Sequence, residues 1–519
     1  MQEQQKKEVV RAFMDRGILL SIKDDDELLT MKRRFHTFDY GASNDFVYLN
    51  SDALAILANR QQIDWREFES ARASLEMGDS VGYKTILDSL ATQPKETLPD
   101  APSVKVVKSY LEEPRKIVVG DFVDYFNSRF EALRKILYNR EELKNTLPIS
   151  RILAKSDKES VSLIGIVKQK DITKNNNIVL TIEDQTDQMK VIVNKSKPEL
   201  YASSRDIVLD EVIGIIGNVG NKVVFANNIL WPDVPITNET KKHGNEDYVL
   251  FLSDLHVGSN NFLKEDFMKF LDWINLNAGN AGQRDIASKV KYIFFVGDLI
   301  DGVGVYPGQE TELAIKDARE QYSECAELLS KIPKHIRLII CAGNHDAMRL
   351  AEPQPVFSAK FSEPLLRLEN ATIVSNPSIV NIHSGKDFDG YNILLYHGHS
   401  FDYYIANVDS IREQGGYDRA DLIMKYLLKR RHLAPTHTST PYMPMSPDSL
   451  VIDKVPDFFV SGHIHKSAVS NYRGITLICA SCWQSTTAFQ EKVGHHPEPS
   501  RVPAVNLATR QVKILKFGK

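Results

Sequence analysis

The segment YVLFLSDLHVG at residues 248–258 decides the fold of the second half of this 519-residue chain. An apolar run that suits a buried strand ends at Ser253, and Asp254 and His256 follow it. Four later segments repeat this order, namely KYIFFVGDLIDG (291–302), IRLIICAGNHD (336–346), YNILLYHGHS (391–400) and DFFVSGHIHK (457–466). Helical or loop sequence separates them, which predicts an α/β domain over 246–519 with its chemistry at the strand ends.

These strand ends carry side chains that suit a metal centre. They are Asp254, His256, Asp298, Asn344, His397, His463 and His465. Carboxylate, imidazole and amide donors together favour a first-row ion and are too nitrogen-rich for a dedicated Ca or Mg cage. Seven ligands are too many for one such ion, so we predict two divalent ions about 4 Å apart, which could clamp a phosphate ester. Mn2+ is the favoured ion, with Fe, Zn or Mg as alternatives.

The adjacent residues of AGNHD must point in different directions, which suggests a division of roles. We predict that Asn344 is a metal ligand and that His345 faces the substrate as the catalytic residue, where an imidazole can stabilise the phosphate and the leaving oxygen. Asp346 is then the expected partner that orients this imidazole.

Taken in order, the motifs D-x-H, G-D-x-x-D, G-N-H-D, H and G-H-x-H resemble those of the calcineurin-like metallophosphoesterase superfamily. The resemblance implies that one ion is held by Asp254, His256, Asp298 and His465, and the other by Asp298, Asn344, His397 and His463. Asp298 would then bridge the two ions. Either His397 or His399 of YHGHS could be the ligand, and we favour His397 because it occupies the superfamily's usual position.

The first half of the chain contains no proposed ligand and has a different organisation. Amphipathic patterns predict a small helical domain over 1–75, and the polar segment 76–118, with Pro94, Pro99, Pro102 and Pro114, predicts a linker. Asp121 is a candidate cap for a connecting helix within 119–150, whose apolar positions recur at steps of three and four.

Five short Val- and Ile-rich runs between 151 and 240 predict a small β-barrel. A longer segment separates the third run from the fourth, as in an OB-fold. OB-folds that bind single strands expose aromatic rings for base stacking, and these runs contain only Phe225. We therefore favour a structural or docking role for the barrel over nucleic-acid binding.

The order of these domains narrows the substrate class. A helical N-terminus, an OB-like barrel and a phosphoesterase domain, together with the segments GDFVDYFNSRFEALRKIL, GDLIDGVGVYPGQE, LLKRRHLAPT and ASCWQSTTAFQ, resemble the small subunit of archaeal family D DNA polymerase. The resemblance implies a 3′ to 5′ exonuclease that proofreads single-stranded or mismatched DNA ends for a separate large polymerase subunit, with a sliding clamp as a further partner through the complex. A catalytically idle scaffold and a general metallophosphatase are the alternatives, and intact ligands disfavour the scaffold.

Two surface features are candidates for DNA contact. Lys425, Lys429, Arg430 and Arg431 bring four positive charges within seven residues and could follow a phosphate backbone, although a solvated helix face is equally typical. Tyr306, in the Gly-rich segment after Asp298, could stack on a terminal base, although a plain turn fits as well.

Composition places the chain among ordinary folded proteins. Hydrophobic residues make up 42% and charged residues 25%, and the formal net charge of −4 excludes a globally basic nucleic-acid coat. No apolar run reaches the length of a membrane helix, and the polar N-terminus does not resemble a secretory signal. Four cysteines cannot form a disulfide framework, and Cys479 and Cys482 fit core thiols. We therefore expect a cytoplasmic protein.

Overall fold

The computed structural model describes residues 18–21, 47–50, 102–111, 116–492 and 495–518. The chain divides into two compact units, Met1–Asp100 and Ala101–Lys519. In the first unit, strands β1 (Ile18–Ser21) and β2 (Val47–Asn50) pair in parallel. Sequence periodicity predicted only helices here, because strands of four residues are too short to show a period of two. The remainder of the predicted helical domain lies outside the described residues.

Strand β3 (Val104–Ser109) corrects the predicted extent of the linker over 76–118. It pairs antiparallel with the strand Ser378–Ile382 and forms one edge of a sheet in the second unit. Pro102 precedes it and lies outside its ladder of hydrogen bonds, which is where sheets tolerate proline. Pro114 lies outside the described residues. The chain therefore joins the phosphoesterase region well before the predicted end of the linker.

Helix α1 (Val119–Tyr138) is the predicted connecting helix. It starts before the expected cap, because the Asp121 carboxylate accepts a hydrogen bond of 2.8 Å from the amide of Val118 and so acts from inside the first turn. Its buried residues Phe130, Leu133 and Leu137 pack in one cluster with barrel residues such as Ile164 and Val212. The helix is thereby fixed to the barrel.

The predicted OB-fold is confirmed as a closed barrel of five strands in the order β4-β5-β6-β8-β7. The strands are β4 (Ser160–Ile172), β5 (Ile178–Glu183), β6 (Gln188–Val193), β7 (Val212–Gly220) and β8 (Val223–Leu230). The short helix α2 (Ile149–Ile152) precedes the barrel, and α3 (Pro198–Arg205) lies between the third and fourth strands.

The C-terminal domain contains two six-stranded sheets. The first has the order β12-β11-β10-β9-β18-β19, and the second has the order β16-β17-β15-β14-β13-β3. Their strands are β9 (Tyr248–Leu252), β10 (Val290–Val296), β11 (Arg337–Cys341), β12 (Ala371–Ile373), β13 (Ser378–Ile382), β14 (Tyr391–Leu395), β15 (Phe458–Ser461), β16 (Ala468–Tyr472), β17 (Ile475–Cys479), β18 (Arg501–Asn506) and β19 (Val512–Lys516).

Helices cover the outer faces of both sheets. The described α-helices of this domain are α4 (Lys264–Ile274), α5 (Ala281–Ser288), α6 (Ala318–Ser330), α7 (Ala359–Leu366), α8 (Phe401–Asn407), α9 (Asp409–Glu413), α10 (Ala420–Arg430) and α11 (Ala488–Lys492). Helices α4 to α7 pack on the first sheet, and α8 and α10 pack on the second. Phe251, Phe294 and Phe458 belong to the core between the sheets. None of the described helices is long and apolar enough to span a lipid bilayer.

Candidate metal centre

All seven predicted ligands follow the C-terminal ends of strands, as the sequence pattern indicated. Asp254 and His256 follow β9, Asp298 follows β10 and Asn344 follows β11 in the first sheet. His397 follows β14, and His463 and His465 follow β15 in the second sheet. Both sheets therefore contribute donors at the same end of the sandwich.

The backbone at most of these ligands adopts the left-handed conformation. Its φ angle is 53° at Asp254, 52° at His256, 49° at Asp298, 66° at His463 and 56° at His465. Asp and His tolerate this region better than branched residues do, and such strained backbone concentrates at functional sites. Main-chain hydrogen bonds maintain it, for example from the Asp254 amide to the Gly297 carbonyl at 3.0 Å.

Two glycines give the ligands room to converge. A β-carbon at Gly343 would fall on a carboxylate oxygen of Asp298, and one at Gly462 would collide with Ser253 and the Asp254 carboxylate. Glycine is required at both positions because the backbone itself approaches the donor atoms.

The first group of donors is Asp254, His256 and His465. The Nε2 atoms of His256 and His465 lie 3.1 Å apart, and Nε2 of His465 lies 3.3 Å from Oδ1 of Asp254. Oδ2 of Asp298 lies 3.9 Å from Nε2 of His256. All four side chains are buried.

The second group of donors is Asp298, His397 and His463, with donor atoms within 4.8 Å of one another. Nε2 of His397 lies 3.2 Å from Oδ2 of Asp298 and 3.1 Å from Oδ1 of Asn344. Asp298 is thus near both groups, which is the position the bridging role requires. His399 is not a member, and its ring centre lies 5.7 Å from that of His463.

Each imidazole has one nitrogen fixed by the protein, so the other can face the donor cluster. Nδ1 of His256 contacts Oδ1 of Asp301 at 3.0 Å, and Nε2 of His463 contacts Oδ2 of Asp402 at 2.9 Å. Nδ1 of His397 lies 2.8 Å from the carbonyl oxygen of Val296, and Nδ1 of His465 lies 2.9 Å from the side-chain amide nitrogen of Gln490. Contacts of this kind orient metal-binding histidines in other proteins.

The electrostatics of the cluster favour a cation. Burial by itself would raise the pKa of Asp298, yet His397 and His345 hold the pKa of this carboxyl well below its usual range. Burial opposes protonation of His397 as well, but Asp298 raises the pKa of His397 to about 10. Buried carboxylates that stabilise positive charge, with imidazoles converging on them, are suitable ligands for divalent first-row ions.

His345 lies beside this cluster, and its predicted partner is wrong. Nδ1 of His345 contacts the carbonyl oxygen of Asp301 at 2.9 Å, so Asp301 and not Asp346 orients the ring. The buried Asp346 carboxylate instead accepts hydrogen bonds from the Gly343 amide at 2.8 Å and the Tyr322 hydroxyl at 3.1 Å. Its role is to brace the turn that carries Asn344 and His345.

The cluster opens into a pocket of about 200 Å³. Tyr306 and His345 line one part of it, with ring centres 6.4 Å apart, and Thr487, Gln490 and His495 line another. The Tyr306 hydroxyl donates a hydrogen bond of 2.9 Å to Glu312. Tyr306 thus lines the same pocket as His345, and its stacking on a terminal base stays a prediction.

Comparison with known proteins agrees with this geometry. The family described as calcineurin-like phosphoesterase matches residues 248–467, which include every predicted ligand. The DNA polymerase II small subunit of Methanothermobacter thermautotrophicus is 40% identical over 401 residues, which cover 77% of this chain and 80% of that protein. The chain belongs to the DNA polymerase II small-subunit family.

Two further relatives carry the same name. The small subunit of Archaeoglobus fulgidus is 38% identical over 402 residues, covering 77% of this chain and 78% of its own length. That of Methanocaldococcus jannaschii is 40% identical over 393 residues, covering 75% of this chain and 64% of its own length. The chain thus spans less than two thirds of the latter relative. Both resemblances stated for the sequence are confirmed at the level of family and fold.

In this member of the small-subunit family, the basic run on α10 is largely structural. Arg430 and Arg431 are each 3% exposed. Arg430 pairs with Glu211 at 2.5 Å, and Arg431 donates hydrogen bonds to the Ile452 and Asp453 carbonyls at 2.6 and 2.8 Å. The prediction that these two arginines follow a DNA backbone is wrong, because charges adjacent in sequence point into the protein here.

The two lysines of the same run differ from the arginines. Lys425 pairs with Asp421 at 2.9 Å, and Nζ of Lys429 lies 3.8 Å from the ring centre of Trp231. Both are partly exposed. They are the members of the run that remain candidates for a phosphate contact.

Sequence reasoning missed three residues that orient ligands. Asp301 could have been found from the sequence, because it is the second Asp of VGDLIDG and matches the last position of the motif G-D-x-x-D. Asp402 and Gln490 carried none, since they reach His463 and His465 from separate helices, α8 and α11. The thiols of Cys479 and Cys482 are buried and free, as predicted.

Proposed function

We propose that the C-terminal domain is a metal-dependent 3′ to 5′ exodeoxyribonuclease and that the chain is the proofreading subunit of a replicative DNA polymerase. The complete donor set at the strand ends is the observation that carries this proposal. A catalytically idle scaffold would not need seven converging donors, four of them held by orienting contacts. Membership in a polymerase small-subunit family favours DNA over phosphoproteins as the substrate.

The donors would hold two divalent ions, for which Mn2+ is our first choice. Asp254, His256 and His465 would contact one ion, Asn344, His397 and His463 the other, and Asp298 both. Ions bound there would neutralise charge on the scissile phosphate and activate the attacking water.

His345 would act on the substrate itself. With Nδ1 against the Asp301 carbonyl, the ring is held so that Nε2 can contact a phosphate oxygen or the leaving oxygen. Burial lowers the pKa of His345. Nδ1 faces a carbonyl oxygen and is therefore the donor of a neutral ring, so Nε2 must gain a proton before it can donate to the substrate. We assign contact with the terminal base to Tyr306, and its position in the lining of the same pocket supports this.

The proposed partners are DNA, a large polymerase subunit and a sliding clamp. DNA with a single-stranded or mismatched 3′ end is the substrate, and a large subunit of the same polymerase supplies the polymerisation site. A sliding clamp would be reached through that complex.

The test is release of nucleotides from a mismatched, 3′-labelled primer by the purified full chain. We expect cleavage with Mn2+, loss of cleavage with chelator, and a loss of at least about a thousandfold in Asp298→Asn. Asp285→Asn is the matched control, because that exposed carboxylate only pairs with Lys289. Cleavage that survives Asp298→Asn, or hydrolysis of phosphopeptides in preference to DNA, contradicts the proposal.

A further inference from the structure

The first half of helix α1 presents apolar side chains to solvent. Val119 is 83% exposed, Phe122 39% and Val123 56%. The buried residues Phe130, Leu133 and Leu137 of the same helix begin about two turns further on and pack on the barrel. A cluster of exposed apolar residues on one helix is typical of a surface that another polypeptide covers.

A groove lies beside these residues. It encloses about 390 Å³ between α1 and the barrel and has apolar walls that include Phe126, Phe130 and Ile166. Shape and polarity together suit the insertion of apolar side chains from a docked segment.

The rim of this groove is acidic. Glu183, Asp184 and Asp210 line it. Two of these carboxylates also have partners outside the groove lining, since Glu183 pairs with Lys168 at 2.9 Å and Oδ2 of Asp210 lies 2.7 Å from Nδ1 of His437. Carboxylates at the rim repel a phosphate backbone or an anionic lipid surface and attract Lys or Arg side chains. The charge therefore favours a protein partner over DNA or a membrane.

We propose that this groove, formed by α1 and the barrel edge around Ile166 and Glu183, is the docking site for a segment of another protein chain. The segment carries two or three apolar anchors flanked by basic residues. This inference rests on the proposed role as a polymerase subunit, since it assigns the segment to the large subunit of the same complex. The proposed contact lies on a face formed by α1 and the barrel, away from the loops that carry the predicted metal ligands.

Binding of the co-expressed large subunit from the same organism to the full chain tests the proposal, with affinity measured at low and at moderate salt. Val119→Asp combined with Val123→Asp should weaken binding at least tenfold, because the change places charge on the apolar anchor surface. Both positions are exposed, so the fold should be retained. Glu183→Gln should weaken binding at low salt and reduce its salt dependence.

Ile236→Asp is the matched control, because Ile236 is exposed and apolar but lies outside the groove. It should bind like the wild type, and nuclease activity of all three variants alone should be unchanged. If the wild type does not bind the large subunit, the proposed subunit role fails and the groove assignment fails with it.

Other outcomes overturn the groove assignment alone. One is wild-type affinity in the Val119→Asp, Val123→Asp variant. Another is a change in the oligomeric state of the isolated chain in that variant, which would identify a second copy as the occupant.

Discussion

His345 is the side chain whose proposed contribution to chemistry can be separated from metal binding by experiment. It contacts the Asp301 carbonyl through Nδ1, and its ring also lies within 4.8 Å of donor atoms of His256 and Asp298. We expect His345→Ala to lower exonuclease turnover about 10²- to 10⁴-fold while two equivalents of Mn2+ still bind, because the ring acts on the substrate. Metal content, measured together with turnover, checks this. Loss of one ion in this variant would show that His345 is a metal ligand. The proposed division of roles between His345 and Asn344 would then be wrong.

The convergence of the proposed ligands could be predicted from sequence because each stands at the end of an apolar run. Their position therefore follows from the strand that precedes them. The orienting residues could not, since Asp402 and Gln490 approach from helices that only the tertiary fold brings near. Asp346 was given the wrong role for a related reason. Asp346 is adjacent to His345 in the chain, but the contact with Nδ1 of His345 is made by the carbonyl oxygen of Asp301. That contact depends on the tertiary fold.

Among the secondary-structure elements, α1 is tied to the phosphoesterase domain by a buried ion pair. Nε of Arg129 lies 2.8 Å from Oδ2 of Asp448, and the same guanidinium donates to the Pro435 carbonyl and the Tyr125 hydroxyl, both at 2.7 Å. Asp448 also contacts Nε2 of His432 at 2.8 Å. The network joins a helix to a loop more than 300 residues away in sequence.

Removing the Arg129 guanidinium should destabilise the fold, because Asp448 stays buried. We expect Arg129→Met to lower the free energy of unfolding by about 3–5 kcal/mol, because Asp448 would remain buried without its cationic partner. The first transition in urea unfolding gives the measurement. Lys144→Met, which removes an exposed pair with Glu141, should leave that transition unchanged. Equal effects of the two variants would show that the Arg129 network does not stabilise the fold.

Two elements show where sequence patterns lose information. The basic run on α10 gives no sign that Arg430 meets Glu211 of the barrel, since burial of a charge depends on partners from other elements. Strand β3 falls within the predicted linker because the sequence around it is polar and carries four prolines, which favour extended chain. The barrel, by contrast, was predicted correctly, because five successive runs with a helix before the fourth leave few other topologies.

In the molecule as a whole, the division at residue 100 separates the metal centre from the N-terminal unit. We expect the fragment 101–519 to fold and to retain exonuclease activity, because it contains β3, the barrel and every proposed ligand. Limited proteolysis of the full chain should cut before residue 102 and spare β3, which is paired within a sheet. An insoluble fragment, or cleavage within 104–109 ahead of the upstream segment, would show that the units depend on each other.

The arrangement of both sheets around one cluster of donors is the central claim, and it is tested most directly by anomalous X-ray scattering from crystals of the full chain soaked in Mn2+. We expect two peaks about 4 Å apart, with the Asp298 carboxylate between them and Asn344 at the peak shared with His397 and His463. Asp298→Asn should lose at least one peak. A single peak in the wild type, or two peaks that Asp298 does not touch, would contradict the assignment of a bridged two-metal centre.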